Sequence, residues 1–412
     1  MLTCRTGAIL SFLNEYLTLR TFFIGTSLSL ADITLWNALR KHTLDLSTYI
    51  HLNRWMSFLT ALKPFQGAVS ELNKKMGVLK SKSMKVKKAT TSTGESGSCP
   101  PLIGAIDGGV VTRFPPEPSG YLHIGHVKAC MLNHYYAKRY NGKLIVRFDD
   151  TNPSKEKAEF ETSIISDLAK LDIVADLVTY TSDSFPLILK MAYLLLSKDL
   201  AYMDDTPQEK MRDERMAGID GCRRNTKMEE NVTLFNAMIA GNLEGYCLRA
   251  KIDMQAKNKT MCDPVIYRVN KTPHHRTGST YKAYPTYDFA CPIVDSTEGV
   301  THALRTTEYN DRDEQFAWMI SALELRPVVI QSYARMNFQY SVLSKRKLAW
   351  FVEMGHVTGW DDPRFPTVQG VLRRGVQMEA LREFILSQGS SRRITDVRKQ
   401  IFYVCRLEIC IL

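Results

Sequence analysis

The chain has 412 residues, 44% of them hydrophobic and 24% charged, with 23 glycines and 16 prolines; it is too long for one small core and too ordinary in composition for a fibrous or wholly disordered protein. Lys and Arg number 54 against 43 Asp and Glu, a net charge of +11, which suits a polyanionic partner. The nine cysteines form no C-x-x-C pair, so neither a zinc ribbon nor a disulfide framework is expected, and no run approaches the ~20 apolar residues of a membrane span.

Residues 1–73 read as helices. The first 36 are apolar and poor in acid, but Asn14, Glu15 and Arg20 interrupt them and no small-residue cleavage pattern follows, so a folded helical start is expected rather than a targeting segment. In Ser29-Leu30-Ala31-Asp32 the S-x-x-D spacing predicts a helix start, and Ile33, Leu35, Trp36 and Leu39 supply its apolar stripe. Residues 74–104 carry Lys74, Lys75, Lys80, Lys82, Lys85, Lys87 and Lys88 with no acid before Glu95, then a small polar stretch from Thr90 to Gly97. Such a segment cannot bury a core and marks a flexible linker. Its lysines read either as a solvated tether or as an arm for phosphate backbones, whose binding would weaken with salt.

From residue 109 the pattern alternates. Val110–Phe114 is β-prone, Pro115–Gly120 breaks it, Ile124–Tyr140 reads as a helix and Leu144–Phe148 as a second strand. Strand, helix, strand opens a parallel α/β sheet, and ligands bind such sheets beyond the carboxyl ends of the strands. At the first end lies Arg113-Phe114-Pro115-Pro116-Glu117-Pro118-Ser119-Gly120-Tyr121-Leu122-His123-Ile124-Gly125-His126. A helix beginning near His123 puts two imidazoles on one face. Gly125 between them leaves room for a nucleotide at a helix end that favours anions. At the second end, Asp149-Asp150 offers one carboxylate for a ligand ammonium and a neighbour to cap the turn. Far downstream, Ser344-Lys345-Arg346-Lys347 supplies cations able to close over phosphates.

In this order the motifs resemble the catalytic core of class I glutamyl-tRNA synthetases of the eukaryotic and archaeal type, over residues 109 to about 390. His123-Ile124-Gly125-His126 matches the first signature of the class. Leu343-Ser344-Lys345-Arg346 is similar to the second, usually written KMSKS, with Val342 and Leu343 where that pattern has Lys and Met. Tyr284–Pro292, His302–Tyr309 and Gly359–Thr367 are further long matches. Gly25–Leu39 resembles the carboxyl half of a glutathione-transferase-like domain that eukaryotic relatives carry in front.

The resemblance implies an α/β fold: a Rossmann-like parallel-sheet catalytic domain in two halves, 105–200 and 283–330, interrupted by an acceptor-stem-binding insertion at 201–282. A KMSKS-type loop and helical connection would fill 331–391, after a partial all-α glutathione-transferase-like domain at 1–73. Residues 392–412 diverge where relatives continue into anticodon-reading β-barrels, so a truncated chain with reduced charging is expected.

The activity implied is glutamate–tRNA ligation in the cytoplasm, in which ATP activates L-glutamate to an adenylate and the acyl group passes to the 3′ end of tRNA(Glu). By the same resemblance His123, His126 and Lys345 stabilise the phosphates. Glu117, Pro118, Ser119, Gly125, Thr306, Arg335, Met336, Leu343 and Ser344 line the ATP site with them. Arg113, Asp149 and Tyr287 hold the amino acid, and Arg305 faces its side-chain carboxylate, unless Arg305 serves an ion pair with Glu308 instead. Mg2+ arrives with ATP and no protein metal site is expected, since His274 and His275 lack further ligands. Arg212, Arg215, Arg223, Arg224 and Lys227 cluster in the insertion, either for tRNA or as a charge-mixed surface. Other synthetases or a scaffold protein are expected on the N-terminal helices, and no membrane. Two other readings stay open: a paralogue that attaches glutamate to a different acceptor, and a weakly catalytic or non-catalytic interaction protein.

Overall fold

The computed structural model describes residues 2–24, 28–40, 45–62, 99–154, 156–338, 341–392 and 395–397. Most of the expected lysine-rich linker and of the divergent tail lies outside the described residues. Two compact units result, the first built mainly from the N-terminal helices and the second spanning 98–378 and 385–397.

In the first unit α1 (Leu2–Tyr16), α2 (Leu30–Leu39) and α3 (Ile50–Ala61) enclose Leu10, Leu17, Trp36, Leu39, Leu52 and Trp55. The S-x-x-D signal holds: Ser29 caps α2 and exchanges hydrogen bonds with Asp32. Asp32 does more than the pattern foretold. Fully buried, it also accepts from Phe23 N at 2.9 Å and Trp55 Nε1 at 3.1 Å, which ties three segments together. Ile33, expected on the apolar stripe, is 40% exposed.

The second unit opens with β1 (Val111–Phe114), α4 (Ile124–Arg139), β2 (Lys143–Phe148), α5 (Ala158–Lys170) and β3 (Leu177–Tyr180). The three strands are parallel, with Val111 opposite Lys143 and Ile145 opposite Leu177. Residues 144–148 are all buried, as a strand covered on both faces requires. At the turn into β2, Gly142 passes so close to the Val110 carbonyl that no Cβ would fit.

After α6 (Phe185–Ser197) comes a four-stranded antiparallel sheet of β4 (Ala201–Asp204), β5 (Cys247–Ala250), β6 (Val265–Val269) and β7 (Ala283–Pro285), in that order, with α7 (Gln208–Ala217) and α8 (Met228–Ile239) between its first two strands. The buried Arg249–Asp204 pair, 2.6 Å, pins β5 to β4. The chain then returns through α9 (Tyr287–Thr297), β8 (His302–Thr306), α10 (Asp313–Ala322) and β9 (Val329–Tyr333). Strands β8 and β9 are parallel, and Thr301 N donates to Val111 O at 2.9 Å, seating β8 beside β1. Leu102, Val110, Leu132, Tyr136, Leu304 and Tyr333 form the core at this junction. The remainder comprises β10 (Met336–Phe338) paired with β11 (Thr395–Val397), and α11 (Lys345–Glu353), α12 (Val368–Arg373) and α13 (Met378–Gln388). No described helix is long and apolar enough to cross a membrane.

The basic cluster of the insertion is largely spoken for. Arg215 donates to the Cys262 and Lys259 carbonyls, Arg223 pairs with Asp205 and Glu230, and Arg224 pairs with Asp263 at 2.7 Å. For these three the charge is paired within the insertion, in keeping with the charge-mixed alternative.

Candidate active site

Strand β1 lies between β2 and β8, and the candidate residues follow or end these three strands. Beyond β1 the proline-rich turn is tied down by Asp149 N to Pro116 O at 3.0 Å and Lys157 N to Pro118 O at 3.1 Å. Helix α4 starts where the sequence placed it. Its cap is His123, whose Nδ1 accepts from Gly125 N at 3.1 Å, while His123 N donates to His126 Nδ1 at 3.3 Å. Each ring thereby keeps Nε2 as its N–H donor. A second clamp holds this helix end: Ile124 N donates to Pro366 O at 3.0 Å and Val368 N to Leu122 O at 2.9 Å. A Cβ at Gly125 would meet His123 Cε1 at 2.9 Å, so the missing side chain makes room for the capping imidazole.

Lys345, first residue of α11, reaches this turn. Its Nζ donates to Glu117 O and Ser119 Oγ, each at 3.2 Å, and Ser119 Oγ donates to Glu117 at 2.8 Å. Burial pushes the His123 imidazole down to about 4, with nearby Lys345 adding to the shift, and burial holds His126 well below its usual range. Both rings are therefore neutral donors at neutral pH. Ser344 caps α11 without a side-chain bond and is exposed, with the partly buried Leu343 before it. Thr306 ends β8, and Met336 is buried in β10. Arg335 pairs with Glu308 at 2.5 Å.

Around β1, β2 and β8 lie three buried arginines in two different states. Arg113 donates through Nε to Asp295 at 3.2 Å and through Nη1 to Leu304 O at 3.0 Å, and Arg147 pairs with Asp295 and with Glu298. Arg113 thus meets an internal carboxylate, and its Nη2 donates to Cys291 Sγ at 3.9 Å. Arg305 is 6% exposed, yet its Nη1 has no hydrogen-bond partner among the described residues. Its ion-pair partner is Asp313 at 3.6 Å, not the expected Glu308, and the guanidinium lies over Tyr309 at 5.0 Å. It borders a tight crevice shared with Asp288, Cys291, Arg312, Gln315 and Phe316.

Tyr287 stands beside this group, its ring 6.2 Å from Tyr309, and burial holds its hydroxyl well above the usual range. Asp149 accepts from Thr151 Oγ1 at 3.1 Å; burial, with Asp150 and Glu117 nearby, pushes its carboxyl up to about 7. Asp150 takes the structural role, accepting from Ser182 N at 2.8 Å.

Sequence reasoning missed Asp295, the counterion of two arginines. Its signal was an acid set in the apolar run Ile293-Val294-Asp295. It also missed that Glu156 joins His274 and His275, with ligand atoms within 4.8 Å. His274 Nδ1 accepts from Arg276 N and Thr277 N, so Nε2 carries the proton offered to Asp150 O at 2.7 Å. With that ring used at both ends, the set falls short of the three or four ligands of a zinc centre. Burial pushes the Glu156 carboxyl up to about 9.

Paired imidazoles capping the helix after the first parallel strand, with a lysine brought onto the same turn from a distant helix, define a class I aminoacyl-tRNA synthetase catalytic domain. Residues 109–408 match the family described as tRNA synthetases class I (E and Q), catalytic domain, and the chain belongs to that family. The match runs past residue 390, where the resemblance was expected to stop. The chain is 51% identical over 403 residues to the cytoplasmic glutamate–tRNA ligase of Saccharomyces cerevisiae (96% of this chain, 57% of the yeast protein). It is 48% identical over 410 residues to a probable cytoplasmic glutamate–tRNA ligase of Schizosaccharomyces pombe (98% and 56%). With the bifunctional glutamate/proline–tRNA ligase of Mus musculus the identity is 49% over 404 residues (95% and 26%). The chain thus spans little more than half the length of the two yeast proteins. The crystal structure of a glutamate tRNA ligase from Elizabethkingia meningosepticum shares the fold, with a TM-score of 0.50 at 18% identity over 68% of this chain and 60% of that one.

Proposed function

We propose that this chain activates L-glutamate with ATP and transfers it to the 3′ end of tRNA(Glu), in the cytoplasm and in the service of translation. The observation that carries the choice of amino acid is Arg305, whose buried Nη1 has no hydrogen bond among the described residues and whose counterion Asp313 stands off at 3.6 Å, beside two arginines bonded directly to Asp295. A buried charge needs a partner, and a side-chain carboxylate is the partner whose geometry fits the guanidinium fork, at about 1.5–3 kcal/mol for a charged hydrogen bond. Glutamine would leave that donor unpaired.

In this reading Asp149 holds the ammonium and Arg113 and Tyr287 orient the substrate, whose α-carboxylate attacks the α-phosphate of ATP and expels pyrophosphate. No protein nucleophile is required, so rate comes from positioning and from charge stabilisation by His123 Nε2, His126 Nε2 and Lys345 Nζ. Glu117, Pro118, Ser119, Gly125, Thr306, Arg335, Met336, Leu343 and Ser344 are assigned to the ATP site. Magnesium enters as part of the MgATP substrate, held by phosphate and water. The helices of the first unit, which expose Phe12, Leu19, Ile24 and Ile50, are assigned to docking other synthetases or a scaffold.

The test is glutamate-dependent pyrophosphate exchange, with and without tRNA. Arg305→Ala is expected to lower glutamate use by at least about a hundredfold, the size of a lost buried charge pair, and to relax rejection of glutamine. Unchanged glutamate kinetics in that variant would defeat the assignment.

A further inference from the structure

Arg305 and Asp313 face one another in an unfinished way. The guanidinium is 6% exposed and the carboxylate 32%, Nη1 and Oδ1 stand 3.6 Å apart, and neither atom has a hydrogen bond among the described residues. At 3.6 Å the two attract as charges but miss hydrogen-bond contact. The contrast with Arg113 and Arg147, both bonded directly to Asp295, shows that this fold can build a tight pair nearby when one is needed.

Asp313 is the first residue of α10, where the helix dipole favours an anion. Its neighbour Glu314 shares that advantage but is turned to Asn258 Nδ2 at 2.8 Å. Of these two helix-start acids, Asp313 is the one that pairs with Arg305.

We propose that Asp313 is a specificity-tuning residue: a loose internal counterion that stands in for the substrate's side-chain carboxylate while the site is empty and sets the affinity for glutamate. This rests on the reading of Arg305 given above. Without any counterion the empty site would hold an uncompensated buried cation, a large cost to the fold. With a tight counterion the substrate carboxylate would have to displace a direct hydrogen bond. The loose pair avoids the first penalty and keeps the second small, and its carboxylate repels the incoming one, so it raises the glutamate concentration needed for half-saturation.

The experiment is a thermal-shift titration of the full chain with L-glutamate, comparing wild type, Asp313→Asn, Asp313→Glu, Arg305→Ala and the control Glu314→Gln. D313N removes the competing charge: its ligand-free Tm should fall while half-saturating glutamate drops about tenfold, the scale of a partly desolvated charge pair. D313E extends the carboxylate toward Nη1: its ligand-free Tm should rise and half-saturation should shift upward. E314Q should bind glutamate as wild type does. If both Asp313 variants bind glutamate within twofold of wild type, Asp313 is structural only and the proposal fails. D313E decides the matter alone should D313N not fold. Absence of any glutamate shift in wild type, as in R305A, would instead overturn the glutamate reading itself.

Discussion

The imidazoles of His123 and His126 stack with their centroids 3.7 Å apart and their planes 23° from parallel. Two charged rings could not share that spacing, and burial together with Lys345 keeps both neutral. The pair therefore acts by hydrogen-bond donation. Replacing either ring by alanine is expected to lower kcat for pyrophosphate exchange by about 10²-fold, as for a lost donor to a developing negative charge, with little change in glutamate affinity. Between pH 5 and 8 neither ring should titrate, so a pH profile of H123N should keep the limbs of the wild type.

Asp149 supplies such a limb. Its carboxyl sits near 7 in the empty protein, pushed up first by burial and then by Asp150 and Glu117. Only the ionised form holds an ammonium group, so glutamate binding should weaken tenfold per pH unit below about 7. Calorimetric titration at pH 5.5, 6.5 and 7.5 measures this, and D149N should bind weakly and without pH dependence.

Asp295 is the shared counterion of Arg113 and Arg147. Burial alone would raise its carboxyl, but Arg113 and Arg147 outweigh burial and hold it below 3.8. A depressed carboxyl stabilises the fold above its unfolded value, and that stabilisation is lost as pH falls below 3.8. Asp295→Asn leaves two buried guanidinium groups with a neutral partner and should cost about 3–5 kcal/mol in urea unfolding.

Lys345 rests on the Glu117–Ser119 turn, on the groups it would leave to meet a phosphate. K345A should reduce kcat more than it raises KM for MgATP, because a group engaged mainly in the transition state shows itself in kcat. A raised KM with kcat unchanged would mean that it binds ground state and transition state alike.

Much of this was legible beforehand because local chemistry dictates it. Ser29 and Asp32 announced a helix cap, the proline-rich break announced the turn after β1, and the His123–His126 spacing announced a helix start. The partners of buried charges were not legible. Arg113, Arg147 and Asp295 lie far apart in sequence, and nothing in their spacing says that one carboxylate serves two guanidinium groups. Glu308 looked like the natural mate of Arg305 at three residues' remove, but it belongs to a short 3-10 turn, Thr307–Arg312, that directs it to Arg335. The partners of the insertion's basic cluster were hidden for the same reason, since Asp205 and Asp263 are neighbours of Arg223 and Arg224 only after folding.

The backbone clamp between Ile124 and Pro366 fixes a chronology. Pro366 leaves the ribosome long after Ile124, so the amide that opens α4 waits for its acceptor while most of the sheet is already in place. This hydrogen bond at the start of α4 can form only once Pro366 has been made. A nascent polypeptide arrested ahead of Pro366 would own both histidines and still lack the anchor that aims them.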